Sequence, residues 1–63
     1  MNARRWIVRE VRPGLWQARL TSPSGLVFAT GEAPWPRVRH FLQRGANGWP
    51  VILCNLEGRE WRA

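Results

Sequence analysis

Two turn signals near the N-terminus constrain this chain more than any other feature. Arg12-Pro13-Gly14 and Ser22-Pro23-Ser24-Gly25 each join a proline, which presets φ, to a glycine, which tolerates positive φ. The segments they separate, Arg5 to Val11, Leu15 to Thr21 and Leu26 to Thr30, are rich in β-branched and aromatic residues. Short strands joined by tight turns can only fold back on one another, so this half of the chain predicts an antiparallel meander. In the second strand Trp16, Ala18 and Leu20 share one side, and Gln17, Arg19 and Thr21 the other. The first strand reads two ways: Trp6 and Val8 compete with Ile7 for the core, and Arg9 shares the face of Ile7.

The period then changes. Trp35, Val38, Phe41 and Leu42 recur at helical spacing, with Arg37, His40 and Arg44 on the opposite flank. Pro34 and Pro36 are tolerated in a first turn, whose N–H groups lack intrahelical partners, so the helix is expected to start at Pro34 to Pro36. Gly45 is the expected C-terminal cap, and Arg44 suits the negative end of the dipole. Trp49 to Cys54 reads as a fourth strand, apolar enough to be paired on both sides. Asn55-Leu56-Glu57-Gly58 has the pattern of a type I turn, and Arg59 to Arg62 can return as a short fifth strand. The order β-β-β-α-β-β predicts an α+β fold: a small antiparallel sheet, made of a meander and a C-terminal hairpin, with one helix packed on one face. Residues 1–63 read as a single domain.

With 63 residues, such a chain buries only roughly 60% of its unfolded surface. Its one cysteine, Cys54, excludes an intrachain disulfide and a cysteine-based zinc site, and its place in Val51-Ile52-Leu53-Cys54 suits a small buried hydrophobe. No metal or other cofactor is expected. The N-terminal stretch carries two arginines without a following apolar run, so neither a signal peptide nor a membrane span is expected. The expected location is a bacterial or phage-infected cytoplasm.

Ten basic residues, all arginine, stand against four acidic ones, a formal net charge of +6. A GC-rich genome accounts for arginine over lysine but not for the excess charge, which attracts polyanions and supplies guanidinium forks for phosphate and guanine edges. The five tryptophans, Trp6, Trp16, Trp35, Trp49 and Trp61, are more than so small a core readily hides. Exposed rings of this kind are frequent at protein interfaces.

Gly14-x-Trp16-x-Ala18-Arg19, followed by Gly25, Phe28-x-Thr30 and Glu32-Ala33 before a helix, resembles the N-terminal arm-binding domain of tyrosine integrases. That resemblance implies a three-stranded sheet laid in the DNA major groove, with Gln17 and Arg19 on the reading strand and Arg9 beside them. Pro34-Trp35-Pro36 departs from the Ala-rich first turn of that family, and no recombinase catalytic domain is expected to follow. The chain over most of its length also resembles small bacterial and phage β-β-β-α-β-β proteins with the pattern W-x-V, G-x-W, T-x-x-E-A and a C-terminal hairpin. This second resemblance implies a fold and carries no biochemistry.

No catalytic constellation is legible. His40 is the one histidine, there is no aspartate, and Ser22 and Ser24 lie in a turn without a base. Two binding readings remain open. One is DNA or RNA held through the exposed sheet face, with Arg9, Gln17 and Arg19 reading and Arg37, His40 and Arg44 positioning phosphates, and with aromatic rings available to stack on unpaired bases. The other is a protein-binding module, an inhibitor of a host factor or a homodimer, with Trp35 and Trp61 at the interface.

Overall fold

The structure, a computed structural model, describes residues 3–62 and resolves the first strand in favour of Trp6 and Val8. The strand β1 (Arg5–Arg12) pairs antiparallel with β2 (Leu15–Ser22), placing Val8 opposite Ala18 and Trp6 opposite Leu20. All four of these side chains are buried, and Val8 and Ala18 are completely inaccessible. Ile7 and Arg9 therefore turn to the other face, because side chains alternate along a strand.

β2 also pairs with β3 (Gly25–Ala29) and, further along the same edge, with β4 (Ala33–Pro34). The break between them is closed by Thr30. Its N–H donates to the Ala18 carbonyl at 2.9 Å, and its Oγ1 accepts from the Ala18 N–H at 3.1 Å. A fully buried residue thus keeps both backbone groups satisfied where the ladder is interrupted.

The helix α1 (Trp35–Gly45) lies across one face of the sheet, its entry fixed by prolines and its N-terminus without a side-chain cap. Val38 and Leu42 are buried against Trp6, Val8, Ala18, Leu20 and Leu53, with Trp35 and Phe41 packed alongside. The helical stripe expected from spacing is the core-facing side. The expected cap at Gly45 is displaced: Gly45 is the last helical residue, Ala46 follows at φ −70°, and the left-handed conformations fall at Asn47 and Gly48. The Ala46 carbonyl accepts from the Trp6 indole N–H at 3.3 Å and from the Trp49 N–H at 3.1 Å, so the sheet itself holds the helix end.

After the helix, β5 (Val51–Cys54) adds to the free edge of β1, and β6 (Glu60–Arg62) adds to β5. The fold is α+β, as expected, with one difference in strand direction. β5 runs parallel to β1, from Trp6 opposite Val51 to Arg9 opposite Cys54, which makes the sheet mixed. A helix between two strands reverses the chain and returns it in the original direction, the physical basis of parallel pairing. The strand order is β3-β2-β1-β5-β6, with β1 at its centre. The Asn55–Gly58 turn closes with a Gly58 N–H bond to the Asn55 carbonyl at 3.0 Å, and Asn55 Oδ1 accepts from the Glu57 and Arg59 N–H groups. Cys54 is a buried free thiol.

Thr30→Val should lower stability by about 1–2 kcal/mol, because the isosteric methyl leaves the buried Ala18 N–H without its acceptor. Thr30→Ser should retain most of it. Urea unfolding of the two variants beside the parent checks this, and equal losses would remove the hydroxyl's role.

Candidate nucleic-acid interface

The helix covers one face of the sheet and leaves the other bare. On the bare face the register puts Arg19, Ile7, Ile52 and Arg62 in one row across four strands. Gln17, Arg9, Cys54 and Glu60 form the next row, and Thr21 and Arg5 pair on the other side. Ile7 is consequently the centre of a cross of arginines. Arg5 and Arg9 lie roughly 13 Å apart along β1, and Arg19 and Arg62 roughly 14 Å apart across the sheet, from standard strand rise and spacing.

These guanidinium groups have few counter-charges. The one ion pair among the described residues is Arg12 to Glu32, 3.4 Å apart and exposed, remote from the cross. Glu10 is occupied elsewhere: its Oε2 accepts from the Gly14 N–H at 3.0 Å and its Oε1 from the Leu56 N–H at 3.2 Å, tying two loops together. Among the described residues Glu60 is the one carboxylate whose register places it on the bare face, at the end occupied by the Asn55–Gly58 turn. Four arginines against one glutamate leave the opposite end strongly positive.

The structure divides the residues picked from sequence. Arg9, Gln17 and Arg19 share the bare face, and Arg9 is directly opposite Gln17. The Gln17 side-chain amide, however, donates to the Thr30 carbonyl at 2.9 Å, so its N–H₂ serves the β2 edge. Bidentate reading of adenine needs both ends of that amide. Arg37, His40 and Arg44 are exposed on α1, across the sheet from Arg9 and Arg19. One flat ligand cannot touch both groups. Arg5 and Arg62 belong to the bare face and were missed, since the face of the first strand was ambiguous and the register of the last depends on a parallel pairing.

The tryptophans lie on the helix side. Trp6 is buried, Trp16, Trp35 and Trp49 pack around the core, and Trp61 pairs with the inward-facing Leu53. The expectation that rings interleave with reading arginines to stack on bases is therefore corrected: rings and cross occupy opposite sides of the sheet. Alternation is the reason, because Trp6 and Trp16 were drawn inward by the same period that sent Arg9 and Arg19 outward.

The two interface tryptophans picked from sequence do come together. Trp35 stands 5.4 Å from Trp16, and Trp61 meets Trp16 edge-on at 6.5 Å. With Leu53 they line an apolar cleft of about 220 Å³, and the Arg59 guanidinium lies 5.7 Å from the Trp61 ring centre. Trp61 is 37% exposed. Strand addition by a second copy would meet an edge strand, either β6 with its charged Glu60 and Arg62 or β3, where Leu26, Val27 and Phe28 are exposed and uncharged. The register shift in β3 leaves Val27 unpaired as a bulge, a feature that bends an edge away from further pairing.

Among the described residues no group of His, Cys, Asp and Glu side chains could hold a metal ion, and no helix is long and apolar enough to cross a membrane. No protein-family model matches the chain, and neither does a curated protein or a solved structure.

Acrylamide quenching should single out Trp61. Trp61→Phe is expected to remove the most quenchable part of the emission, and a variant quenched as readily as the parent would place the exposed ring elsewhere.

Proposed function

We propose that this protein binds double-stranded nucleic acid through the helix-free face of its sheet, with little dependence on sequence. The observation that carries the reading is the cross of Arg5, Arg9, Arg19 and Arg62 around Ile7, with one carboxylate on its face among the described residues. Guanidinium forks bind phosphate oxygens bidentately, and their binding to a polyanion is driven largely by release of counterions. The absence of aromatic rings from that face favours duplex over unpaired strands, which are usually gripped by stacking.

Width argues for phosphates over base edges. Five neighbouring strands span roughly 19 Å, whereas a major groove about 12 Å wide admits a helix or a two-stranded ribbon. In the arm-binding domains that the N-terminal half resembles, a three-stranded sheet enters the groove. Here β5 and β6 flank β1 on the side that such a sheet leaves free, so the arginines of β1 and β2 are central and cannot be inserted as an edge. They would lie across the groove and reach the phosphates on its rims. Arg37, His40 and Arg44 play no part in this mode.

A second reading rests on a separate observation, the exposed Trp61 beside Trp16 and Trp35. Such a cleft suits an apolar or proline-bearing anchor from a protein partner. The two surfaces are on opposite sides of the sheet, so they make separable demands.

Fluorescence anisotropy of a labelled duplex at two salt concentrations tests the first reading. The parent should bind saturably and weaken with salt. Arg9→Ala and Arg19→Ala should each lower affinity and reduce the slope of log K against log salt by about 1, whereas Gln17→Ala should leave the slope unchanged. No saturable binding at low salt would overturn this function. Association with a protein that Trp61→Ala abolishes, in a chain that ignores duplex, would establish the second reading in its place.

A further inference from the structure

At one end of the bare face the β1–β5 ladder stops short. The Trp6 N–H still bonds to the Pro50 carbonyl at 2.8 Å, but β5 begins only at Val51 whereas β1 begins at Arg5. Proline has no N–H with which to extend a ladder, so Arg5 lacks a paired β5 neighbour. Beside this gap β2 runs into the Ser22–Gly25 turn, and β6 brings Arg62 opposite Ile52. The result is a notch of about 510 Å³ whose lining includes Arg5, Thr21, Ile52 and Arg62 between Pro23 and Pro50.

Among the described residues no carboxylate lines this notch. Two arginines from non-adjacent strands line a single concavity together with Pro23, Pro50 and Ile52. The Thr21 hydroxyl is directed to the Arg5 carbonyl at 3.4 Å, holding the two strands together at the rim. Like charges brought together without a counter-ion repel one another, and the arrangement gains most from a compact anion that both forks can grip. The other end of the same face differs: the depression there is bordered by Glu10 and Glu60 beside Arg9.

We infer that the notch between Pro23 and Pro50 is a phosphate-binding site in which Arg5 and Arg62 clamp one phosphate group together. The inference rests on the nucleic-acid reading for the source of that group, a phosphodiester of the bound duplex. It adds that this end of the face anchors the backbone while Arg9 and Arg19 make separate contacts. A clamp on one phosphate has a signature that independent contacts lack, since either arginine alone still neutralises that phosphate and only removal of both forfeits its counterion release.

The test combines salt slopes with side-chain NMR on the full chain. Arg5 and Arg62 are exposed, so Arg5→Gln, Arg62→Gln and the double variant should keep the parent's urea midpoint. Each single variant is expected to lower duplex affinity with little change in the salt slope, and the double variant to reduce the slope by about 0.9. A reduction of about 0.9 in each single variant and about 1.8 in the double variant would mean two separate phosphates and overturn the clamp. An unchanged slope and affinity in the double variant, with Arg9→Ala and Arg19→Ala still weakening binding, would remove the notch and leave the broader reading standing.

Titration of ¹⁵N-labelled protein with inorganic phosphate judges the notch apart from any duplex. The Arg5 and Arg62 Nε–H resonances should shift along one shared saturation curve. If the parent ignores duplex while both resonances follow phosphate together, the site stands and its ligand is free phosphate. If neither moves with phosphate or with duplex, the site is overturned.

Discussion

The inward burial of Trp6 and Val8 on the central strand is the interaction on which the rest of this structure depends. Val8 is fully enclosed, and Trp6 reaches from the middle of the sheet to the Ala46 carbonyl at the end of the helix, meeting Phe41 and Phe28 edge-on along the way. In a strand the side-chain period is two, so a slip of one residue would exchange every inward side chain for its neighbour. Committing Trp6 and Val8 to the core commits Arg5, Ile7 and Arg9 to the opposite surface. Core packing and surface charge are in this sense one decision.

That decision also separates two surfaces of opposite chemistry. The helix side collects the rings, which offer apolar area near Trp61; the bare side collects guanidinium groups with a single carboxylate among them. In a domain this small a full second layer over the sheet is not available, so one face meets solvent or a partner. A face rich in arginine is readily solvated and resists self-association through charge repulsion. The uncharged edge, β3, is instead guarded by the bulge at Val27.

Much of the scaffold was legible because it rests on local chemistry. Proline and glycine mark the turns, the stripe from Trp35 to Leu42 marks the buried side of the helix, and Asn55 marks the last hairpin through its side-chain acceptor. Part of the candidate interface was legible for the same reason, since alternation alone sets Arg19 against Ala18. What escaped was set by contacts between distant segments. The two-residue β4 exists because Thr30 bridges to Ala18, the helix ends where Trp6 holds Ala46, and Gln17 is diverted by the Thr30 carbonyl. None of these has a signature within a short window of sequence.

The sequence by itself determined the five longer strands, the turns, the body of the helix and the excess of positive charge, because periodicity, backbone preference and composition act within a few residues. Only the tertiary structure decided that β5 lies parallel beside β1, which widens the sheet and brings Arg62 and Arg5 to one notch. It also decided that Arg37, His40 and Arg44 face away from Arg9 and Arg19. The physical reason is that pairing partners and the covered face are chosen by the competition of long-range apolar contacts for a single small core, and that competition is settled by the whole chain at once.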